Sequence, residues 1–334
     1  MLQMGRLRGM SHYTLAGKNI LITGGAGFIG SHLVERLTEE DPLSLVVMDN
    51  LFLGKESNLD QAAGKFPDLK FYPDDASSME KVADIVEKHN IDVVFDLAVV
   101  PLPASLERPE WAFAQNMRMT EVVCELAEKR RYRTLVHFSS SEVYGTALYS
   151  PMDEHHPLLP LTPYGASKAG GDHLVYSYGR CFGIDTVIVR PFNNYGPRQN
   201  EGMYAGVIPI TIQRILNGNN PVIYGDGEQT RDFIYVGDTA EATVALFKAP
   251  EARGRIINVA NGVEVKIIDL IRIIQEKLGC REEIVFEEDR PGDVRRHAAG
   301  TRLLLELIPY APKVSFQEGI ARTVDWYVEN SKPV

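Results

Sequence analysis

A tyrosine and a lysine lie four residues apart in a segment with a helical pattern, Tyr164-Gly165-Ala166-Ser167-Lys168. Positions i and i+4 share one face of a helix, so the phenol and the ammonium group can converge. A free phenol, with a pKa near ~10, is a poor base at neutral pH, and a neighbouring cation favours the phenolate. We therefore interpret Tyr164 as a general base and expect Lys168 to lower its pKa. The alternative is an ordinary amphipathic helix face.

Three serines and a glutamate follow a buried apolar run at 134–138, in the order Ser139-Ser140-Ser141-Glu142. Ligands bind at the carboxyl ends of strands in parallel sheets. A hydroxyl group there can hydrogen-bond a reacting oxygen, and a carboxylate can accept a proton. We predict that this strand end faces a reaction centre. The alternative is that the serines only cap the strand.

A glycine-rich turn, Gly24, Gly27 and Gly30, joins the apolar run 18–23 to a helical pattern over 28–39. The first glycine permits a tight turn, the second lets the backbone approach a pyrophosphate, and the third lets helix and strand pack closely. The helix N-terminus then offers free N–H groups to the phosphates. This order of strand, turn and helix predicts a dinucleotide site.

An aspartate, Asp49, ends the next apolar run about 20 residues after Gly30, where a dinucleotide fold places its ribose ligand. A carboxylate accepts hydrogen bonds from the ribose hydroxyls and repels a 2′-phosphate. Asp49 therefore predicts NAD as the cofactor in preference to NADP. Because Asp49-Asn50 is also turn chemistry, a simple turn residue is the alternative.

These motifs together resemble the extended short-chain dehydrogenase/reductases, in particular the NAD-dependent nucleotide-sugar epimerases and dehydratases. The resemblance extends from Lys18 to about Glu329. It implies that Ser140, Tyr164 and Lys168 are catalytic. The cofactor-binding residues that it implies are Gly24, Gly27, Phe28, Ile29, Gly30, Asp49, Asn50, Asp75, Ala76, Leu97, Ala98, Asn116, Tyr164 and Lys168.

The resemblance also implies a transient 4-keto sugar, formed when Tyr164 takes a hydroxyl proton and NAD takes the C4 hydride. The positive nicotinamide ring would then join Lys168 in favouring the phenolate of Tyr164. Glu142 resembles the catalytic glutamate of 4,6-dehydratases and UDP-glucuronate decarboxylases, so we favour a lyase. Ser141 stands where dTDP-glucose dehydratases carry an aspartic acid, which leaves the product open. The alternatives are an NDP-hexose 4-epimerase, acting on UDP-glucose, UDP-GlcNAc or UDP-glucuronate, and, more remotely, a non-catalytic NAD-binding protein.

The same resemblance implies that the partner is a nucleotide-diphosphate sugar, a UDP- or dTDP-hexose. Two arginines would grip its diphosphate, since guanidinium forks match phosphate oxygens, although each could instead form a surface ion pair. The segment from Val222 to Tyr224 would meet the base through backbone groups. The substrate-binding residues implied are Ser141, Asn193, Val222, Tyr224, Arg231 and Arg290.

Strand-like and helical segments alternate through the first ~190 residues, which predicts a Rossmann-type, doubly wound α/β fold with a parallel sheet. The predicted strands are 18–23, 44–48, 91–97, 134–138 and 185–189, and the predicted helices are 28–39, 78–89, 110–130 and 164–182. Shorter, less regular elements follow. The predicted organisation is a flexible tail at 1–16, an NAD-binding domain at 17–190 that part of 232–262 rejoins, and a smaller, irregular α/β region for the nucleotide sugar at 191–330.

The chain has 334 residues and a formal net charge of −10, which disfavours nucleic acid as a partner. Its three cysteines do not form a close pair, as expected in a reducing cytoplasm, and Cys/His spacing predicts no metal site. No stretch reaches the ~18 apolar residues of a membrane-spanning helix. We expect a cytoplasmic protein and, from the family resemblance, a homodimer formed through helices near 110–130 and 164–182.

Overall fold

In the computed structural model, residues 13–202, 205–288 and 295–330 are described, and seven parallel strands among them form a central sheet. The strands, numbered in chain order, are β1 (Asn19–Thr23), β2 (Ser44–Met48), β3 (Lys70–Tyr72), β4 (Val93–Asp96), β5 (Thr134–Phe138), β6 (Asp185–Pro191) and β10 (Ile256–Val259). Their spatial order is β3-β2-β1-β4-β5-β6-β10, so the chain changes direction between β1 and β4. This is the doubly wound arrangement that places a ligand at the switch point, and the predicted fold class is confirmed.

Helices cover both faces of the sheet because the strand side chains alternate between two apolar cores. In β1, Ile20 and Ile22 enter one core while Leu21 enters the other. The helices of this part are α1 (Phe28–Leu37), α2 (Asp60–Lys65), α3 (Met79–Lys88), α4 (Leu102–Glu107), α5 (Pro109–Glu128), α6 (Pro163–Phe182) and α8 (Val236–Lys248). Helices α1 and α8 pack on one face, and α3, α5 and α6 pack on the other.

The predicted strands 44–48 and 134–138 coincide with β2 and β5, and the four predicted helices correspond to α1, α3, α5 and α6. The sequence analysis missed β3, α2 and α4. These elements are only three to six residues long, too short for a hydrophobic period to develop. Strand β10 lies beside β6, within the stretch 232–262 that we assigned back to the first domain.

The remaining elements form a smaller region beyond the carboxyl ends of the sheet. They are β7 (Asn193–Tyr195), α7 (Val207–Leu216), β8 (Val222–Tyr224), β9 (Thr230–Tyr235), β11 (Glu264–Lys266), α9 (Ile267–Leu278), β12 (Val285–Glu287), β13 (Arg296–His297), α10 (Arg302–Leu307) and α11 (Phe316–Asn330). Strand β9 pairs with β7, β11 and β13, and β8 pairs with β12. The strands are short as expected, but α9 and α11 are regular helices that share a third core, so the expectation of irregular elements is wrong for them.

Residues 1–12 of the predicted tail lie outside the described residues. Leu15, which we also assigned to that tail, is instead fully buried in the core beside β1, so the tail assignment is wrong for this residue. Within the described ranges, no helix combines the length and the apolar character that crossing a membrane requires.

Candidate active site

One pocket of about 460 Å³ runs along the carboxyl ends of the central strands. It collects residues from the glycine turn, the ends of β2, β4 and β5, and the start of α6. The predicted site residues in its wall are Gly24, Gly27, Phe28, Ile29, Gly30, Asp49, Asn50, Asp75, Ala76, Leu97, Ala98, Ser140, Ser141, Glu142, Tyr164, Lys168 and Asn193. The fold therefore brings the predicted cofactor and catalytic residues into one cavity.

The glycine turn forms a concave surface, here called the cradle, in which there is no room for side chains. Gly24 has φ +68°, and a Cβ there would lie 2.7 Å from the backbone nitrogen of Ala98. A Cβ on Gly30 would collide with the carbonyl oxygen of Gly24. Gly27 precedes the first turn of α1, whose N–H groups point at the pocket with no side-chain cap. These features fit the pyrophosphate of NAD, with its charge at the helix N-terminus.

The end of β2 suits the adenosine half of the cofactor. Asp49 is 8% exposed, and its carboxylate accepts hydrogen bonds from the backbone N–H groups of Ala26 (3.0 Å) and Leu51 (2.9 Å). Burial raises the pKa of Asp49. The side-chain amide of Asn50 donates to Asp75 at 3.3 Å, which joins two of the residues expected around the adenosine. This set of acceptors fits ribose hydroxyls and an adenine amino group.

A buried pair that the sequence analysis missed lies behind Leu97 and Ala98. Asp96, at the end of β4, accepts a hydrogen bond from the Thr23 hydroxyl (2.9 Å) and lies 2.8 Å from Nδ1 of His137. The Thr23 hydroxyl oxygen in turn accepts from the backbone N–H groups of Leu97 and Ala98, both at 3.2 Å. This network holds the backbone that forms the floor of the pocket.

Asn116 lies behind the pocket wall. Its side-chain oxygen accepts from the backbone N–H of Val100 (2.7 Å), and its amide donates to the Val100 carbonyl (3.1 Å) and the Ser167 hydroxyl (2.9 Å). These bonds give the Asn116 amide a structural role, and the cofactor contact expected of this residue stays a prediction. Asn116 fastens the segment around Val100 to α6.

Tyr164 stands in the first turn of α6. Thr162 caps this helix by accepting from the N–H of Gly165 (3.0 Å), and Pro163 occupies its first position. The Tyr164 phenol hydrogen-bonds the Ser140 hydroxyl. Burial raises the pKa of Tyr164 to about 12, the bond to Ser140 opposes the rise, and the carboxylate of Glu142 adds to it. The expectation that Lys168 and the positive nicotinamide ring together lower this pKa stays a prediction, and among the effects of the protein's own groups burial is the largest.

Lys168 is 6% exposed and lies one turn along the same helix. Burial lowers the pKa of its ammonium group, and the charges of Asp96 and Asp172 oppose that effect. Lys168 is therefore a buried cation in the pocket wall, stabilised in its charged form by two carboxylates.

A second buried network supports the turn that carries Ser140 and Glu142. Arg190 and Asp172, each 1% exposed, pair at 2.6 Å, and Ser139 donates to the same Asp172 oxygen at 2.7 Å. Arg190 also donates to the Tyr144 hydroxyl at 2.6 Å. The sequence analysis named Ser139 without a separate role. Nothing in the local pattern marked Arg190 and Asp172 as its neighbours in a buried network.

The predicted substrate residues are only partly brought together. Asn193 lies in the pocket wall, whereas Val222, Tyr224 and Arg231 lie outside it, on strands β8 and β9. Arg290 lies outside the described residues. The strands that flank the 289–294 segment pair with β8 at Tyr224 and with β9 at Thr230.

His297, which the sequence analysis also missed, connects these strands to the catalytic turn. It pairs in register with Arg231, stacks against Phe192 with ring centroids 5.0 Å apart, and hydrogen-bonds the backbone carbonyl of Ser141. Its Nδ1 lies 3.5 Å from the side-chain nitrogen of Asn193. Burial and then the charge of Arg231 lower the pKa of His297 to about 4, so its ring is neutral at physiological pH.

A Rossmann sheet, an NAD cradle and a Ser-Tyr-Lys set in one pocket define an NAD-dependent enzyme of the short-chain dehydrogenase/reductase type. The chain belongs to the NAD dependent epimerase/dehydratase family, whose model matches residues 20–260.

Three proteins illustrate how wide that family is. The chain is 34% identical to a dTDP-glucose 4,6-dehydratase of Actinoplanes sp. (93% of this chain, 98% of that protein). It is also 34% identical to a UDP-glucose 4-epimerase of Mycolicibacterium smegmatis (93% and 99%). Among solved structures, a UDP-N-acetylglucosamine 4-epimerase from Methanobrevibacter ruminantium M1, in complex with UDP-N-acetylmuramic acid, superimposes with a TM-score of 0.86 at 34% identity (95% and 100%). The chain is therefore an enzyme of nucleotide-sugar chemistry, with relatives that are epimerases and relatives that are dehydratases.

Proposed function

We propose that this enzyme is a lyase that removes water from a UDP- or dTDP-hexose, giving the 4-keto-6-deoxy sugar nucleotide. The observation that carries the proposal is the position of Glu142. Its carboxylate lines the same pocket as Tyr164 and lies near enough to the phenol to raise its pKa. A 4-epimerisation needs one base at O4, whereas elimination across C5 and C6 needs a second, and Glu142 supplies it.

The first half of the reaction is an oxidation at C4. The chemistry that NAD supplies when bound is a positively charged ring that accepts a hydride and later returns it. Tyr164 takes the proton of the C4 hydroxyl, and Ser140 hydrogen-bonds the same oxygen. Lys168 holds the cofactor side of the site with its ammonium charge.

The second half is an elimination. A ketone at C4 acidifies the C5 proton, which Glu142 removes. The electron pair forms a C5–C6 double bond as the C6 hydroxyl leaves. Glu142 gives its proton to the leaving C6 hydroxyl, either directly or by way of the Ser141 hydroxyl, so that the group departs as water. Bound NAD would supply the hydride that C6 gains, and a solvent proton would complete C5, so the reaction as a whole would involve no net oxidation.

Decarboxylation, the other lyase outcome, is less well supported. It requires a carboxylate at C6 of the sugar. The segment from Val99 to Pro103, which lines the same pocket as Glu142, is apolar and suits an uncharged hydroxymethyl group better than a carboxylate.

A 4-epimerase is the second candidate, supported by the epimerases among the relatives. Ser141 favours it as well, because a serine is a weaker proton donor than the aspartic acid of dTDP-glucose dehydratases. In that case Glu142 would contact a sugar hydroxyl without taking a proton.

We propose that the nucleotide part of the substrate lies toward β8 and β9. Asn193 would contact the substrate from the pocket wall, and Arg231 and Arg290 would bind the diphosphate. Backbone groups between Val222 and Tyr224 would meet the base. The Tyr224 carbonyl is held in place by a hydrogen bond from the side-chain amide of Gln229 at 2.8 Å.

We also propose a homodimer formed through α5 and α6, which pack against each other along their length. Their outer surface exposes large apolar side chains, with Phe113 42%, Tyr176 47% and Phe182 47% exposed. Burial of such a patch against the same patch of a second copy would make a four-helix bundle.

The product's mass tests the proposed reaction. The enzyme is incubated separately with UDP-glucose, dTDP-glucose, UDP-GlcNAc and UDP-glucuronate. We expect loss of one water from a neutral hexose substrate. Loss of carbon dioxide from UDP-glucuronate, or an isomer of unchanged mass, would replace the dehydratase with a decarboxylase or an epimerase.

A further inference from the structure

Arg198 is an element that the proposed reaction does not use. It follows β7 in the segment Gly196-Pro197-Arg198-Gln199-Asn200, between the two regions of the chain. Its backbone has φ +66°, which a residue with a side chain adopts only at a cost. Its side chain is 11% exposed. A buried arginine on a strained backbone points to a specific set of partners.

Those partners belong to the cofactor domain. One terminal nitrogen of Arg198 donates to the backbone carbonyl of Asn58 at 2.9 Å. The other lies 2.9 Å from Nδ1 of His32 and 2.8 Å from a carboxylate oxygen of Glu35, both on α1. The guanidinium thus spans α1 and the segment before α2 with a fork that lysine does not have.

Two further bonds tie this contact to the glycine turn. The side-chain amide of Asn58 donates to the carbonyl of Ala26 at 2.8 Å, within the turn itself. Because His32 accepts from Arg198 through Nδ1, its other nitrogen carries the proton and donates to the carbonyl of Pro197 at 3.0 Å. Arg198 and its neighbours therefore bind α1 close to its N-terminus, the end that would contact the pyrophosphate.

The residues after Arg198 form the outer wall of the same pocket. Gln199 and Asn200 line it together with Gly27, Phe28 and Ile29. The carbonyl of Gln199 is also held by the hydroxyl of Tyr327 on α11. The wall is thus fixed to the cofactor helix on one side and to the C-terminal helix on the other.

We infer that Arg198 is a positioning residue that locks the Gln199-Asn200 wall onto α1 and thereby sets how long NAD stays bound. In the proposed reaction the enzyme uses one NAD for both half-reactions. If the cofactor dissociates between them, the 4-keto sugar cannot be reduced and the reaction stops at this intermediate. The inference rests on NAD binding and is independent of which sugar reacts.

The test is the NAD dissociation rate of the purified holoenzyme, measured without sugar by dilution into an NAD trap. Arg198→Ala is expected to dissociate NAD about 10- to 100-fold faster than the unmodified protein, the range for loss of charged hydrogen bonds. Arg198→Lys, which keeps the charge near Glu35 but not the fork, is expected to lie between the two. The control Arg302→Ala removes an arginine that is 91% exposed and pairs with Glu306 on the same helix, and the NAD dissociation rate should not change.

Activity gives a second measurement. Arg198→Ala should lose activity on dilution and recover it when NAD is added, with kcat at saturating NAD nearly unchanged. If Arg198→Ala does not fold, Arg198→Lys decides the question with the same measurement. Dissociation within twofold of the unmodified enzyme in a folded Arg198 variant would overturn the inference and leave Arg198 a purely structural residue.

Discussion

Glu142 and Tyr164 line the same active-site pocket, and the charge of the Glu142 carboxylate adds to the effect of burial in raising the pKa of the Tyr164 phenol to about 12. Tyr164 is the group that takes a proton from O4. The charged carboxylate of Glu142 disfavours the Tyr164 phenolate, and this effect ends when Glu142 is protonated. The two bases of the proposed mechanism are coupled, so a change in one alters the titration of the other.

Replacement of Tyr164 by phenylalanine removes the base at O4. We expect kcat to fall by about 10²- to 10⁴-fold, the usual contribution of general-base catalysis, while NAD remains bound. Turnover by product mass and NAD content after denaturation measure the two effects. Unchanged turnover in Tyr164→Phe would remove this residue from the chemistry.

Replacement of Glu142 by glutamine separates the two half-reactions. We expect Glu142→Gln still to oxidise the sugar at C4, but to eliminate water about 10²- to 10⁴-fold more slowly. Reduced nicotinamide should then accumulate and be visible by its absorbance in a single turnover.

The same variant shifts the pH dependence of the oxidation. The phenolate is the base, so the oxidation rate rises with pH through the pKa of Tyr164. Removal of the Glu142 charge lowers that pKa, and the rise should move to lower pH. An identical pH profile in both proteins would show that the two groups are not coupled.

Gly30 tests the cradle for NAD. In Gly30→Ala the added methyl group meets the Gly24 carbonyl, so we expect weak NAD binding and a loss of about 1–3 kcal/mol in the free energy of unfolding. Gly64→Ala is the matched control, because a Cβ at that position in α2 has no atom within 4 Å. The control should be neutral or slightly more stable. Chemical denaturation and NAD titration distinguish them, and equal behaviour of the two variants would contradict the close approach.

The buried pair of Arg190 and Asp172 makes a separate prediction for stability. Asp172→Asn leaves an uncompensated arginine that is 1% exposed, so we expect a loss of about 3–5 kcal/mol in the free energy of unfolding. Glu306→Gln, which weakens an exposed pair on α10, should cost less than about 1 kcal/mol. Urea denaturation at neutral pH measures both, and a small loss in Asp172→Asn would show that other groups satisfy Arg190.

His297 predicts how stability depends on pH. Its pKa is lowered to about 4 in the folded protein, whereas an unfolded histidine has a pKa of ~6.5. Between these values the unfolded chain binds more protons, so stability is present above pH ~6.5 and is lost as the pH falls toward 4, by up to about 3 kcal/mol from this residue. In His297→Gln that part of the slope should disappear. The exposed His155→Gln should keep the slope, and parallel curves for all three proteins would contradict the prediction.

The sequence was sufficient for features encoded locally. The glycine turn and the Tyr164-Lys168 spacing each lie within one short segment, and the fold places both in one pocket. Features that depend on contacts between distant residues could not be predicted from the sequence. Asp96 and His137 are 41 positions apart, and only the sheet brings them together. The pKa of Tyr164 depends on burial, which the lysine four residues away did not reveal.

The central claim is that water leaves across C5 and C6 after removal of the C5 proton. The most direct measurement is the mass spectrum of the product formed from UDP-glucose or dTDP-glucose in deuterated water. The mechanism predicts a product that has lost one water and gained one carbon-bound deuterium at C5, and predicts that Glu142→Gln makes this product about 10²- to 10⁴-fold more slowly. A product of unchanged mass, with no deuterium on carbon, would contradict the mechanism and identify the reaction as 4-epimerisation.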